Sequence, residues 1–229
     1  MPVRAITVPL VALAALLGGA CSGSDEEPTA ATAPERSTVR NERCLVRVHG
    51  RSETGSEPVD HGDYAELAPT GNDTYDGGFQ WIYATPEERA SAAESIGSWI
   101  DAVGCTQVIL NGFSNGGAAV GALHCSGETF DGRVVGVVID DPVPDEAVEG
   151  CAPADPDVPV TLYWTGGLTQ ATAGTACDDI GFTCSGDLII GIDAYAESLG
   201  TSVTQSTHEA HEWYRQAPET IEWPDAESG

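Results

Sequence analysis

Lysine is absent from this 229-residue chain, and its 9 basic residues are all arginine, set against 36 Asp and Glu. The formal net charge of −27 repels polyanions. It argues against a nucleic acid partner and against adhesion of the protein surface to anionic lipid, and it suits solubility outside the cell. Long apolar runs are missing too: the stretch at 8–17 is too short to span a bilayer. There is no Cys-x2-Cys pair and no cysteine at ligand spacing from a histidine cluster, so no metal site and no cofactor is expected. The chain shows no internal repeat.

Residues 1–21 have the form of an export signal. Arg4 is the only charge, the apolar stretch has the length of a signal core, and small residues precede Cys21 in Leu17-Gly18-Gly19-Ala20-Cys21. This ending resembles the bacterial lipobox, although Gly18 stands where a branched aliphatic residue is preferred. The resemblance implies acylation of Cys21 and a lipid anchor in the cell membrane; free secretion after cleavage near Ala20 or further on is the alternative. Residues 22–41 hold Ser, Asp, Glu, Pro, Thr and Ala with almost no large apolar side chain. They cannot bury enough surface to offset ordering entropy, and a flexible tether is expected there. Residues 42–229 are long enough for one domain with a sizeable core, expected to act as a monomer.

What the chain does have is Gly112-Phe113-Ser114-Asn115-Gly116, directly after the apolar run Val108-Ile109-Leu110. Gly-x-Ser-x-Gly at a strand end places a serine on a sharp strand-to-helix turn. Crowding there demands small residues on both sides, and the chain supplies Gly112, Gly116 and Gly117, then Ala118 and Ala119. In this setting the motif resembles the nucleophile elbow of the α/β-hydrolases. Strand-like runs at 45–48, 79–83, 106–110, 134–139, 160–164 and 201–206 are short and mostly continuous in apolar residues, as in buried parallel strands. One helix should start at Thr85-Pro86-Glu87-Glu88 with a capping box, bury Ile96, Trp99, Ile100 and Val103, and end at Gly104. Others should follow Ser114 and span 192–199 before Gly200; nothing is assigned at 55–78. The alternation predicts an α/β domain, a mostly parallel sheet of about six strands with helices on both faces. It reads as a compact α/β-hydrolase with no lid domain, because little chain lies between Asp141 and Val158. An open, wet site is expected.

A serine hydroxyl needs a base within hydrogen-bond reach, and the base needs an acceptor that fixes its tautomer. The order Ser, acid, His that the hydrolase resemblance implies leaves His208 and His211, both just past the last strand-like run. His211 leaves the better loop length. His124 is too close to Ser114, on the helix that the elbow starts. Oxyanion N–H groups are expected from Asn115, the residue after the nucleophile, and from Arg51 in His49-Gly50-Arg51-Ser52-Glu53-Thr54-Gly55. His49 is then structural. The acid stays open among Asp141 in Ile139-Asp140-Asp141-Pro142, Asp179 with its neighbour Asp178, and Asp187. A strand tip favours Asp141; a disulfide-clamped loop favours Asp179. Together these residues predict a serine esterase that cleaves small-molecule or polymeric esters through an acyl-enzyme. A non-catalytic binding protein of the same fold, or an acyltransferase or peptidase, is the alternative. Trp164 and Trp213 are candidates to line the pocket.

Besides Cys21 there are six cysteines, which allow fifteen pairings. Cys44 and Cys105 each open a strand-like run, and in an α/β-hydrolase sheet those two strands are parallel neighbours. Cys177 and Cys184 bracket a short loop, which leaves Cys125 and Cys151. The expected bonds are Cys44–Cys105, Cys125–Cys151 and Cys177–Cys184, as suits an exported chain, and no thiol nucleophile is left. Residues Gly50-Arg51-Ser52-Glu53-Thr54-Gly55 resemble the Arg-Gly-Ser-Thr-Glu-Thr-Gly loop of cutinases. The first and third disulfides, the latter followed by Ser185-Gly186-Asp187-Leu188-Ile189, are similar to theirs. This resemblance implies an acid inside the second of those loops. The chain departs from it by placing Gly181 at the acid's position and by adding a strand before His208 and His211. The stretch 133–142 is similar instead to lipases whose acid follows that earlier strand.

Overall fold

The structure, a computed structural model, describes residues 37–166, 172–177, 184, 188–205, 210–211, 213 and 223. In chain order the strands are β1 (Arg43–Val48), β2 (Ser56–Asp60), β3 (Ala65–Ala68), β4 (Asp73–Tyr75), β5 (Gly78–Gln80), β6 (Gln107–Phe113), β7 (Val134–Asp140), β8 (Val160–Trp164) and β9 (Val203–Gln205). Seven of them form one sheet in the order β2-β3-β1-β6-β7-β8-β9. Only the β2–β3 pair is antiparallel; every other neighbour is parallel. The chain therefore has the expected α/β fold with a mostly parallel sheet, with seven main strands rather than about six.

Five of the expected strand runs are β1, β6, β7, β8 and β9. The run at 79–83 behaves differently: only its start is a strand, in the separate β4–β5 hairpin. Beyond Gln80 its backbone is taken by side chains. Asn115 Oδ1 accepts from Trp81 N at 2.7 Å and Asn72 Oδ1 accepts from Ile82 N at 2.9 Å. A residue whose N–H is already bonded has no donor left for a ladder. The unassigned stretch at 55–78 holds β2, β3 and β4, short strands with few apolar residues.

Three described helices pack on this sheet: α1 (Pro86–Val103), α2 (Asn115–Cys125) and α3 (Ile192–Ser198). Helix α1 carries the expected capping box. Thr85 Oγ1 accepts from Glu88 N at 3.2 Å, and the Glu88 carboxylate accepts from Thr85 N at 3.0 Å. Gly104 ends the helix at φ 88°, a left-handed cap. All three helices join one core cluster with Val46, Leu67, Leu110, Ile139 and Leu162 of the sheet. Alternate strand residues point the other way. There Leu45, Ile109, Val138 and Tyr163 form a second cluster, packed with Tyr64, Val135 and Trp223. Disulfides join Cys44 to Cys105, Cys125 to Cys151 and Cys177 to Cys184.

The chain enters the sheet at an interior strand, β1, which pairs with β3 on one side and β6 on the other. Chain direction thus diverges between the carboxyl ends of β1 and β6. In open parallel sheets that is where a crevice forms and where ligands bind.

Candidate active site

Ser114 lies at that switch point, between β6 and α2. Its backbone has φ 53° and ψ −119°, a conformation that costs a non-glycine residue about 1–3 kcal/mol and is held only when its surroundings enforce it. The small neighbours are required sterically. A Cβ on Gly112 would stand 2.4 Å from Gly116 O, and one on Gly116 would stand 2.1 Å from Val48 O. The elbow is thus wedged against the end of β1, and Ser114 N is held by Asp140 O at 3.0 Å.

Asp141 follows the tip of β7, the next strand. Its own N–H bonds Tyr163 O at 3.0 Å, and its φ of 46° turns the chain out of the ladder. Its carboxylate is fully buried. Oδ1 accepts from Thr165 N at 2.9 Å, and Oδ2 accepts from Thr165 Oγ1 at 2.6 Å. Burial by itself would raise this carboxyl. The hydrogen bonds from His211, the Thr165 hydroxyl and the Thr165 N–H, with the His211 charge, outweigh it and hold Asp141 below its ordinary value.

His211 bridges the two. Its Nδ1 is 2.8 Å from Asp141 Oδ2, and its Nε2 is 2.9 Å from Ser114 Oγ. An ionised carboxylate only accepts, so Nδ1–H donates to Asp141 and Nε2 accepts from the Ser114 hydroxyl. Ser114, His211 and Asp141 are therefore brought into one chain of hydrogen bonds. His208, Asp178, Asp179 and Asp187 lie outside the described residues, as do Cys21 and residues 1–36.

Asn115 opens α2, where a backbone N–H has no partner within the helix; its side chain grips Trp81 N and O. Arg51 sits in the turn after β1, with its guanidinium 4.4 Å from the Tyr75 ring centroid. His49 is buried and structural: Nδ1–H donates to Gly50 O at 2.6 Å, and Nε2 accepts from Gly71 N at 3.0 Å. Burial lowers its pKa from the ordinary histidine value.

Three neighbours were not foreseen as a group. The Phe113 ring centroid is 4.8 Å from that of His211 and 5.1 Å from that of Trp213. The Arg47 guanidinium lies 4.2 Å from the Trp213 ring centroid. Trp213 Nε1 donates to Glu53 Oε2 at 3.4 Å. Trp213 therefore ties the segment carrying His211 to the loop carrying Arg51, while Trp164 packs at the edge of the main core. Thr165 was missed too. A hydroxyl residue at a strand tip is its only signal in the sequence.

No known family model matches the chain, and no curated protein matches it. Among solved structures it is similar to a protein of unknown function from Agrobacterium tumefaciens, at 18% identity and a TM-score of 0.48, covering 80% of this chain and 90% of that one. It is also similar to a Bacillus cereus carboxylesterase, at 14% identity and a TM-score of 0.48, covering 79% and 86%. Esterase B from Lactobacillus rhamnosis aligns at 13% identity and a TM-score of 0.40, covering 82% and 75%.

Proposed function

We propose that the chain is an extracytoplasmic serine hydrolase of the α/β-hydrolase type that cleaves carboxylic esters. The observation that carries this reading is His211, with Ser114 Oγ at 2.9 Å from one ring nitrogen and Asp141 Oδ2 at 2.8 Å from the other. Ser114 Oγ attacks the ester carbonyl carbon while His211 Nε2 takes the hydroxyl proton. The oxyanion is met by the N–H groups of Asn115 and Arg51. His211 then gives its proton to the leaving alcohol, and an acyl ester remains on Ser114. Water, deprotonated by His211, attacks that ester and releases the acid and the free serine. Asp141 keeps the Nδ1–H tautomer and stabilises the imidazolium.

The substrate is a small-molecule or polymeric ester, reached through an open site. Kinship with cutinases is supported by the loop at 50–55 and two of the disulfide pairs; the acid assigned to Asp141 departs from it. Three disulfides are consistent with an oxidising compartment, and acylated Cys21 is proposed as the anchor.

Fluorophosphonate labelling tests the chemistry. Wild type should label and Ser114→Ala should not; an unlabelled wild type sinks the reading. Hydrolysis of p-nitrophenyl esters of graded length then sizes the acyl site. Activity that rises sharply at an oil–water interface contradicts an open site. For the anchor, Cys21→Ala should move the protein from the membrane fraction to the medium.

A further inference from the structure

We infer that Thr165 is a positioning residue that holds the Asp141 carboxylate in register for His211. The inference rests on the reading of Ser114, His211 and Asp141 as a catalytic relay. It begins with the sheet. Ser114 follows the tip of β6, Asp141 the tip of β7 and Thr165 the tip of β8, three consecutive parallel strands. Two hydrogen bonds continue the ladder past these tips, Ser114 N to Asp140 O and Asp141 N to Tyr163 O. The nucleophile, the acid and the threonine are thus held in a row.

The threonine then meets both oxygens of the carboxylate, N–H on Oδ1 at 2.9 Å and hydroxyl on Oδ2 at 2.6 Å. The torsion that turns a carboxylate about its Cβ–Cγ bond is soft. His211 Nδ1–H also meets Oδ2, but only the threonine holds both oxygens from the sheet, independently of the histidine they must orient. Asp141 is fully buried, so bulk water does not replace a lost donor. Oδ2 is also the oxygen that faces His211 Nδ1, so the hydroxyl shares the charge available to the imidazole. Removing the hydroxyl has two consequences. Oδ2 is then held by His211 alone and no longer by the sheet, so carboxylate and imidazole can shift together, which lowers the rate. The charge on Oδ2 becomes fully available to the imidazolium, which favours the protonated histidine.

The other ionisable groups on the elements packed here are Asp140 on β7, Tyr163 on β8, Arg43 and Arg47 on β1, and His49, Arg51 and Glu53 in the segment that follows it. Arg47 interacts with Asp140 and Glu53, as well as with Glu66 and Tyr64. None of these is altered by a change at Thr165.

The test compares wild type, Thr165→Val and Thr165→Ser on a p-nitrophenyl ester. Thr165→Val should lower kcat about tenfold, a fraction of one hydrogen bond to a charged group. KM should stay unchanged, and the acid limb of the pH–rate profile should move to higher pH. Thr165→Ser, which keeps the hydroxyl, should restore both rate and profile. A Thr165→Val profile that matches wild type overturns the inference, as does a Thr165→Ser defect equal to that of Thr165→Val. A second readout needs no turnover. The NMR resonance of His211 Nδ1–H should be protected in wild type and Thr165→Ser, and broadened by exchange in Thr165→Val. Equal protection in all three overturns the inference. If wild type neither hydrolyses esters nor labels at Ser114, the proposed chemistry fails while the proton resonance still judges the clamp.

Discussion

His211 Nε2 lies 2.9 Å from Ser114 Oγ although 97 residues separate them. Ser114 follows β6 and His211 follows β9, with β7 and β8 between them in the sheet. The contact between them is therefore made past the tips of two intervening strands. Asp141 sits at one of those tips, that of β7.

Asp141→Asn should lower kcat about 10⁴-fold, because an amide can donate to Nδ1 and so favours the wrong tautomer. Asp179→Asn and Asp187→Asn should change it little. Ester hydrolysis by the three variants separates the candidates, and a large loss at Asp179 alone would transfer the acid role there.

Gly116→Ala should destabilise the protein by at least about 1–3 kcal/mol, the usual range for overpacking. The added methyl would stand 2.1 Å from Val48 O and 2.3 Å from His49 O, both rigid backbone. Relief by displacing the elbow would also move Ser114. Urea denaturation should show the lower midpoint, and fluorophosphonate labelling should slow in the protein that remains folded.

The three disulfides should differ in value. Their sequence separations are 61 for Cys44–Cys105, 26 for Cys125–Cys151 and 7 for Cys177–Cys184. Loop-closure entropy makes the longest loop the most stabilising, at about 4 kcal/mol against about 2 for the shortest. Pairwise Cys→Ala variants compared by urea unfolding should rank in that order.

Stability should fall on mild acidification. Burial depresses the folded-state pKa values of His49 and His124 below the ordinary 6.5. The unfolded chain therefore binds protons first, and this contribution is present above pH 6.5 and lost as pH falls through the folded values. Asp141 is also depressed, from 3.8, so a further loss follows below that pH. A urea midpoint that stays flat between about pH 8 and pH 5 would contradict the first step.

The local features were readable before any tertiary contact. The capping box at Thr85 and Glu88 and the left-handed Gly104 depend on neighbours in sequence. So does part of the elbow, since Gly112 closes on Gly116 across a single turn, while Gly116 itself meets Val48 and His49 only in the folded sheet. The stretch at 55–78 was not readable, because β2, β3 and β4 are short and carry little apolar pattern. The run at 79–83 misled for the opposite reason. It is apolar and β-prone, but Asn72 and Asn115 capture its N–H groups from outside.

By itself the sequence pointed to the elbow serine, the cysteine pairs, the α/β alternation and a short choice between two histidines. The elbow and the alternation follow from residue spacing; the pair of histidines and the Cys44–Cys105 pair follow from the resemblance to α/β-hydrolases. Only the tertiary structure decided which acid meets His211. Of the candidates, Asp141 meets it because at φ 46° its backbone turns out of the strand that Asp140 ends; Asp178, Asp179 and Asp187 lie outside the described residues. The Thr165 clamp was decided in the same way. Its contact with Asp141 exists because β7 and β8 run parallel, with their tips side by side, a register that neither strand encodes alone.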